Sequence, residues 1–249
     1  GQSPDIISVL AEANNQDRPT LAITNDIRSP LATCARHIIP LHAGKEQAIA
    51  ATKTYTSSLA ALVLLSCHLS SDSARLEELK KVPLYMHETI QGLQTSIKRA
   101  ERYRFMEHCA VIGRGFNYAT AFESALKVKE LTKVVAEPYS SADFRHGPIA
   151  TVTPGFPVIL IAPRGAVSKD MEELINQLVH LKAELLVISD DSQLLDIAQL
   201  PMPIATNIPE WLSPLVGVIP GQLFGLNLAL ARNLNPDSPE GLKKVTETL

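Results

Sequence analysis

Apolar and polar residues follow one another along the chain in blocks that predict alternating strands and helices. Short apolar blocks bounded by turn-forming residues are typical of buried strands, whereas longer blocks with apolar residues every three or four positions are typical of helices. The blocks that predict strands are PTLAITND, IIPLHA, HCAVIG, VVAEPYS, GFPVILIAP and ELLVISD. The blocks that predict helices are SPDIISVLAEANNQ, SPLATCARH, EQAIAATKTYTSSLAALVLLSCHLSS, RGFNYATAFESALKVKELT, SKDMEELINQLVHLKA and LSPLVGVIPGQLFGLNLALARNL. The third of these is mostly apolar, and we expect it to be largely buried.

This alternation predicts an α/β fold, with parallel sheets flanked by helices. The pattern occurs twice, and in each copy a long apolar helix follows a short strand, which indicates an internal duplication. We expect a first domain at residues 1–72, a helical linker region at 73–106 and a second domain at 107–249. The chain starts at Gly1, already within a helical pattern, so we expect the first domain to be truncated at its N-terminus.

Composition and charge narrow the classes of function. The 249 residues are 45% hydrophobic and 20% charged, which is typical of a globular protein. The net charge is -3 without a basic tract, so nucleic acid is a poor candidate partner. Cys34, Cys67 and Cys109 form no CxxC pair, which argues against zinc and disulfides and suits a reducing cytoplasm. The apolar run LAALVLLSC is too short to span a bilayer and no signal peptide is visible, so we expect no membrane association.

Two glycine-containing segments could bind an anion at the start of a helix. In GQSPD, free amides at the helix start and the Ser3 hydroxyl could hold a phosphate; alternatively Ser3 is a simple N-cap, with Pro4 at the first helical position. The segment Gly113–Ala119 follows a predicted strand, but Tyr118 replaces the third glycine of the dinucleotide-binding pattern. A tight turn explains that segment equally well.

One predicted helix carries a charged stripe. In ESALKVKE, the residues Glu123, Lys127 and Glu130 fall within an arc of about 60° on the helix surface. The stripe could be a salt-bridge ladder on an exposed face. The neighbouring positions are apolar around most of the circumference, however, and buried charges occur as pairs or at functional sites.

Three further segments carry candidate side chains. His146 precedes Gly and Pro on a stiff turn after a predicted strand, where it could act in catalysis or merely stabilise the turn. The polar tail contains Lys243 and Lys244, which could also be solvated charges. Thr52 and its neighbours in AATKTYT could contact a sugar or lie at the edge of the core.

Taken together, these segments resemble the double-SIS sugar isomerases over essentially the whole chain. The segments that carry the resemblance are GQSPDI, AATKTYT, FESALKVKELT, AEPYSSADFRHGPIA and GLKKVTET, in that order. The most specific feature is the E-x-x-x-K-x-x-E helix, followed sixteen residues later by the histidine of HGP. The family includes the isomerase part of glutamine–fructose-6-phosphate aminotransferase and stand-alone glucosamine-6-phosphate deaminase/isomerases, and the segments YSSADFRHGPIA and IPEWLSPLV resemble the latter more closely. The resemblance implies two SIS domains, each a flavodoxin-like three-layer sandwich.

The resemblance also implies roles for the charged side chains. Glu130 matches the glutamate base that moves a proton between C1 and C2 of the sugar. His146 matches the histidine that opens the sugar ring, which the family donates across a homodimer interface. Lys244 matches the C-terminal lysine that contacts the open-chain ketose, and Glu123 and Lys127 match a supporting charged pair.

The implied substrate is a phosphosugar. Ser3 matches the last hydroxyl of the phosphate loop, and Thr52 lies in the segment that contacts the sugar. Ala51 departs from the family, in which a serine usually precedes that threonine. The implied reaction converts glucosamine 6-phosphate into fructose 6-phosphate and ammonia, without a metal or other cofactor. The reverse, synthase-type reaction and a non-catalytic phosphosugar sensor are the alternatives.

Overall fold

The computed structural model describes residues 1–244, so residues 245–248 of the GLKKVTET motif and Leu249 lie outside the described residues. The chain forms two compact units: Gly1–Leu76 joins the tail that begins at Asp237, and Glu77–Pro236 forms the second unit. This division differs from the expected domain bounds at two places. Most of the expected helical linker lies in the second unit, and the tail that carries Lys244 lies in the first.

The first unit is a small α/β layer built on two parallel strands. Its elements are α1 (Pro4–Asn15), β1 (Leu21–Thr24), α2 (Pro30–Cys34), β2 (His37–Pro40) and α3 (Lys53–Leu69). The strands pair in register from Leu21 opposite His37 to Thr24 opposite Pro40. Pro4 occupies the first turn of α1, where its missing N–H costs nothing.

The long helix of this unit differs from its prediction in start and in burial. α3 begins at Lys53, and the residues from Glu46 to Thr52 form a loop instead of its first turns. Cys67 is the buried residue of α3, whereas Leu62 and Leu64 are 50% and 43% exposed. The expectation of a largely buried helix is therefore wrong. Two strands of four residues each offer too narrow a surface to cover a helix of 17 residues.

The second unit holds a five-stranded parallel sheet in the order β4-β3-β5-β6-β7. Its strands are β3 (His108–Gly113), β4 (Val135–Ser140), β5 (Pro157–Ile161), β6 (Glu184–Ser189) and β7 (Leu200–Pro203). Its helices are α5 (Val82–Leu93), α6 (Asn117–Thr132), α7 (Ser141–Arg145), α8 (Ser168–His180), α9 (Ser192–Asp196) and α10 (Ser213–Ala231), and α4 (Ser73–Leu79) spans the boundary of the units. Short 3-10 helices cover Ile97–Tyr103, Pro148–Thr151 and Glu210–Leu212. The predicted α/β architecture with parallel sheets is confirmed.

The core of the second unit contains the apolar helix α10, which packs tightly on α6. A side-chain carbon on Gly221 would lie 2.3 Å from Oγ of Ser124, so only glycine allows this approach. Within the described chain, the segment Glu210–Ala231 is long and apolar enough to cross a membrane, with a mean hydropathy of 1.5. The fold buries 61% of that apolar window. Mostly buried core helices also meet this criterion of length and composition.

Candidate active site

The first unit contains a cleft of about 1130 Å³ at the carboxyl ends of β1 and β2. Ligands of open α/β sheets bind at this edge, beside the starts of helices. The cleft brings together three of the residues that the sequence singled out: Ser3, Ala51 and Lys244. Thr52 adjoins it, but its amide and hydroxyl both donate to the carboxylate of Glu46.

The hydroxyl of Ser3 is available to a ligand. Ser3 occupies the N-cap position of α1, yet its side chain makes no capping hydrogen bond. In contrast, Ser29 accepts a hydrogen bond from the amide of Ala32 and Ser140 accepts one from the amide of Asp143. The simple N-cap interpretation therefore fails for Ser3, which lines the cleft together with Gly1 and Gln2.

Cations outnumber carboxylates by one among the charged side chains that line the cleft. The cations are Arg28, Lys45 and Lys244, and the carboxylates are Asp26, which lies 4.0 Å from Arg28, and Glu46. The ammonium of Lys244 also donates to the carbonyl of Ala48. The tail is fixed further by the amide of Ile49, which donates to the carbonyl of Asp237 at 3.1 Å. Two hydrogen bonds with the loop before α3 thus hold the tail at the cleft, where the side chain of Lys244 stays exposed.

Glu46 is a residue of this cleft that sequence reasoning missed. Its Oε1 accepts hydrogen bonds from the amides of Thr52 and Lys53, both at 2.9 Å, and its Oε2 accepts from Thr54. Burial raises the pKa of Glu46, but the hydrogen bonds from Thr54, Thr52 and Lys53 outweigh it and hold the pKa below its ordinary value. The carboxylate therefore caps α3 and fixes the segment that was expected to contact a sugar.

Asn25 is a second missed residue, and it shapes the opposite wall. Its Nδ2 donates to the carbonyl of Gly44 at 2.6 Å, and its Oδ1 accepts from the amide of Ala43 at 2.9 Å. Between β2 and this turn, His42 has a φ of 51°, a left-handed conformation that costs an L-residue roughly 1–2 kcal/mol. The two hydrogen bonds from one side chain offset that strain.

The charged stripe of α6 is largely buried, which excludes an exposed salt-bridge ladder. The ammonium of Lys127 lies 3.6 Å from Oε1 of Glu123, and it also forms an ion pair with Glu130. The side chains of Lys127, Glu123 and Glu130 are 3%, 9% and 24% exposed. One buried cation therefore orients two carboxylates, of which Glu130 is the more accessible.

Within one chain, Glu130 and His146 lie at opposite ends of the parallel strands, Glu130 at the amino ends and His146 at the carboxyl ends. α6 runs back from the carboxyl end of β3 to the amino end of β4, and Glu130 belongs to its last turn. His146 follows α7, directly after the carboxyl end of β4. The length of β4 separates these ends by about 20 Å, given roughly 3.3 Å per residue. The two side chains cannot act on the same sugar from one chain.

The ring of His146 is exposed at the end of α7. Its backbone amide donates to the carbonyl of Asp143 at 3.2 Å, and within residues 1–244 its imidazole has no hydrogen-bond or ion-pair partner. The turn is thus held by the backbone and by side chains other than the imidazole. The interpretation of His146 as a turn-stabilising ring is wrong.

The glycine segment after β3 is a tight turn. A side-chain carbon on Gly113 would lie 2.1 Å from the carbonyl oxygen of Asn117, and Gly115 has a φ of 56°. The backbone of this turn folds against the first turn of α6, which explains both glycines without a ligand. Among the described residues, no cluster of His, Cys, Asp and Glu is arranged to hold a metal ion.

Comparisons with known proteins agree with this architecture. Glutamine–fructose-6-phosphate aminotransferases of Pyrococcus horikoshii and Thermococcus kodakarensis are 32% and 33% identical over 98% of this chain. The chain spans 42% of the length of these relatives.

Solved structures share the fold. The C-terminal domain of glucosamine-fructose-6-phosphate aminotransferase from Francisella tularensis superposes with a TM-score of 0.88 at 24% identity, covering 96% of this chain and 71% of that one. Glucosamine-6-phosphate deaminase from Thermotoga maritima superposes with a TM-score of 0.80 at 22% identity, covering all of this chain and 73% of that one. The model of the SIS domain matches residues 1–67 and 106–232, and the chain belongs to the SIS domain family.

Proposed function

We propose that the chain is a phosphosugar isomerase that acts on the pair glucosamine 6-phosphate and fructose 6-phosphate. The observation that carries the proposal is the accessible carboxylate of Glu130, oriented by the buried ammonium of Lys127 on a rigid helix. One relative is named for a reaction of fructose 6-phosphate, and one solved structure is named for a reaction of glucosamine 6-phosphate. The cations Arg28, Lys45 and Lys244 in the cleft of the first unit suit a phosphate monoester.

In the proposed reaction, Glu130 is the base. It removes the proton from C2 of the open-chain aldose, the electron pair forms a C1–C2 double bond, and the C1 carbonyl oxygen takes up a proton. Return of the proton to C1, with loss of one proton from the amino group, gives an imine at C2, and hydrolysis of this imine by water releases ammonia and the ketose. A single carboxylate can serve both carbons because C1 and C2 are adjacent. Lys127 keeps the Glu130 carboxylate in one orientation, with Glu123 holding Lys127 from the other side.

Ring opening is assigned to His146 of a second copy of the chain. Imidazole can exchange a proton near neutral pH, which ring opening requires. The separation of Glu130 and His146 within one chain supports a homodimer in which one protomer donates the imidazole of His146 to the sugar bound by the other. An exposed apolar stripe on α6 adjoins the charged stripe, formed by Tyr118, Phe122 and Leu126 at 37%, 49% and 41% exposure. Such a stripe suits a protein–protein contact.

The cleft of the first unit is assigned to the substrate's phosphate and sugar. The hydroxyl of Ser3 and the first amides of α1 bind the phosphate, and Lys244 contacts the open-chain ketose. Ala51 and the neighbouring Thr52, whose amide is held by Glu46, form the sugar-facing edge. Phosphate binding fixes the sugar, and its binding energy then serves the reaction.

The test is the variant Glu130→Gln in the full-length protein. Exchange of the C1 proton of fructose 6-phosphate with deuterated water, and ammonia release from glucosamine 6-phosphate, should both fall by a factor of about 10²–10⁴. Affinity for the phosphosugar should stay within a few-fold. Glu173→Gln, an exposed glutamate of α8, is the control and should keep wild-type rates. Wild-type turnover by Glu130→Gln would refute the assignment of the base.

The synthase direction is the second candidate. The curated relatives at 32% and 33% identity are aminotransferases, and this chain spans 42% of their length. If that candidate is right, the full-length protein makes glucosamine 6-phosphate from fructose 6-phosphate and glutamine faster than it releases ammonia. Binding without exchange at C1 would instead indicate a phosphosugar sensor. In either enzymatic case we expect a cytoplasmic protein.

A further inference from the structure

A single carboxylate, that of Asp170, holds both ends of the short helix that precedes His146. Oδ2 of Asp170 accepts a hydrogen bond from the hydroxyl of Ser141, the first residue of α7. Oδ1 accepts from Nη1 of Arg145, the last residue of α7, at 2.7 Å. Nη2 of the same guanidinium donates to the backbone carbonyl of Asp170. His146 follows directly, so this clamp sets the point from which its ring projects.

The clamp also joins segments that follow three neighbouring strands. α7 follows β4, and Asp170 lies in the first turn of α8, which follows β5. Nε of Arg114, in the turn after β3, lies 4.0 Å from Oδ2 of Asp170. These strands are adjacent in the order β4-β3-β5, so the carboxylate ties the His146 segment to the rigid edge of the sheet.

A helix of five residues has too few internal hydrogen bonds to hold a fixed direction by itself. External anchors must therefore decide how much the end of α7 moves. Arg145 is three-quarters buried and Asp170 two-thirds buried at the side chain, so solvent screens this pair less than it screens an exposed pair.

We propose that Asp170 is a positioning residue for ring opening, which acts by fixing α7 so that His146 is presented to the sugar of the partner protomer. This inference rests on the proposed function, and it adds a residue that does not touch the substrate. Burial raises the pKa of Asp170, but the hydrogen bonds from Arg145 and Ser141 and the charge of Arg114 outweigh it and hold the pKa below its ordinary value. The carboxylate of Asp170 is therefore ionised at neutral pH.

The experiment compares two substrates with the variant Asp170→Asn in the full-length protein. Fructose 6-phosphate is mainly a closed ring and needs opening, whereas 5-deoxyfructose 6-phosphate lacks the hydroxyl that closes the ring. Exchange of the C1 proton with deuterated water is measured for both. We expect a loss of about 10- to 100-fold on fructose 6-phosphate, because a misplacement near 1 Å costs roughly that much. On the open-chain substrate the rate should stay within twofold of wild type.

Matched variants separate positioning from a general loss of structure. Ser141→Ala removes one of the hydrogen bonds and should lower the rate on fructose 6-phosphate alone, by less than Asp170→Asn does. Glu173→Gln removes one negative charge from the same helix and should leave both rates unchanged. An equal loss on both substrates in Asp170→Asn, or wild-type activity on both, would overturn the proposal.

A measurement without turnover tests the clamp by itself. Amide hydrogen exchange of residues 141–147, followed by mass spectrometry, should be at least about tenfold faster in Asp170→Asn, with the rest of α8 unchanged. Unchanged exchange in this segment would contradict the clamp. Absence of exchange at C1 on both substrates in the wild-type protein would refute the proposed function instead, so the two failures are distinguishable.

Discussion

The ammonium of Lys127 lies 3.6 Å from the carboxylate of Glu123, and both side chains are more than nine-tenths buried. A buried ion pair is costly to desolvate, so it adds little to stability relative to apolar residues of similar size. Removing one partner is a different matter. The surviving charge must then stay ionised in an apolar environment or change its protonation, and both cost free energy.

We therefore expect Lys127→Met to lower the free energy of unfolding by about 3–5 kcal/mol. The double variant Lys127→Met with Glu123→Leu should recover part of that loss, since neither charge of this pair remains and only the more exposed Glu130 is left without its partner. Urea unfolding of the wild type, both single variants and the double variant gives the coupling between the two positions. Losses that simply add in the double variant would show that the pair does not act as a unit.

The surroundings of Gly221 in α10 and of Gly92 in α5 predict opposite effects for their substitution by alanine. At Gly221 a side-chain carbon would lie 2.3 Å from Oγ and 2.8 Å from Cβ of Ser124, so Gly221→Ala should destabilise the fold by about 1–3 kcal/mol. At Gly92, within α5, the nearest atom would be Cγ of Pro203 at 3.8 Å, an ordinary contact. Gly92→Ala should stabilise by about 0.5–1 kcal/mol. Thermal or urea unfolding measures the change in stability of each variant. An unchanged stability of Gly221→Ala would show that α6 and α10 can separate easily.

Much of the second unit could be predicted from the sequence, because its buried strands are continuous apolar blocks and its helices have apolar residues at helical spacing. The block HCAVIG is β3, and the regular spacing of SKDMEELINQLVH is α8. β7 was missed because Pro201 and Pro203 are disfavoured in strands. It lies at the edge of the sheet, where a missing N–H is tolerated.

The first unit shows where sequence patterns fail. The apolar residues before Lys53 continue the helical spacing, so the pattern extended α3 over a loop that contains Glu46. Within that false helix, Glu46 had no visible role. Its function as a cap depends on a chain reversal that brings its carboxylate to the amides of Thr52 and Lys53, and this reversal leaves no periodic signal. The clamp at Asp170 is equally invisible, since Ser141 and Arg145 lie 29 and 25 residues away along the chain.

The cap at Glu46 predicts a dependence of stability on pH. The pKa of Glu46 is lower in the folded chain than its ordinary value, so the ionised carboxylate contributes stability above the unfolded pKa. That contribution is lost as the pH falls through the folded pKa. Glu46→Gln should weaken the start of α3 by about 0.5–2 kcal/mol near neutral pH, the range of a helix cap. The difference from wild type should shrink in acid.

Local amide exchange measures this effect at each pH. The amides near the start of α3 should exchange faster in Glu46→Gln than in wild type near neutral pH, and the ratio should approach one below the ordinary glutamate pKa of about 4.3. Glu88→Gln, an exposed glutamate of α5, is the control and should leave the exchange of α3 unchanged. A ratio that is constant with pH would contradict a role for the charge.

The exposed stripe of α6 predicts the oligomeric state. The rings of Tyr118 and Phe122 pack edge to face with centroids 5.0 Å apart, and about half of Phe122 remains exposed. Glu at this position would place a charge in the proposed dimer contact, so Phe122→Glu should dissociate the dimer while costing the protomer about 1 kcal/mol or less. Sedimentation velocity of the full-length protein measures the oligomeric state, with Ile197→Glu, also at an exposed apolar residue, as the control.

Because His146 is proposed to come from the second copy, the dissociated variant should lose exchange of the C1 proton on fructose 6-phosphate and keep it on the open-chain substrate. A wild type that stays monomeric while it converts fructose 6-phosphate would rule out the donated histidine, since Glu130 and His146 of one chain lie at opposite ends of the parallel strands.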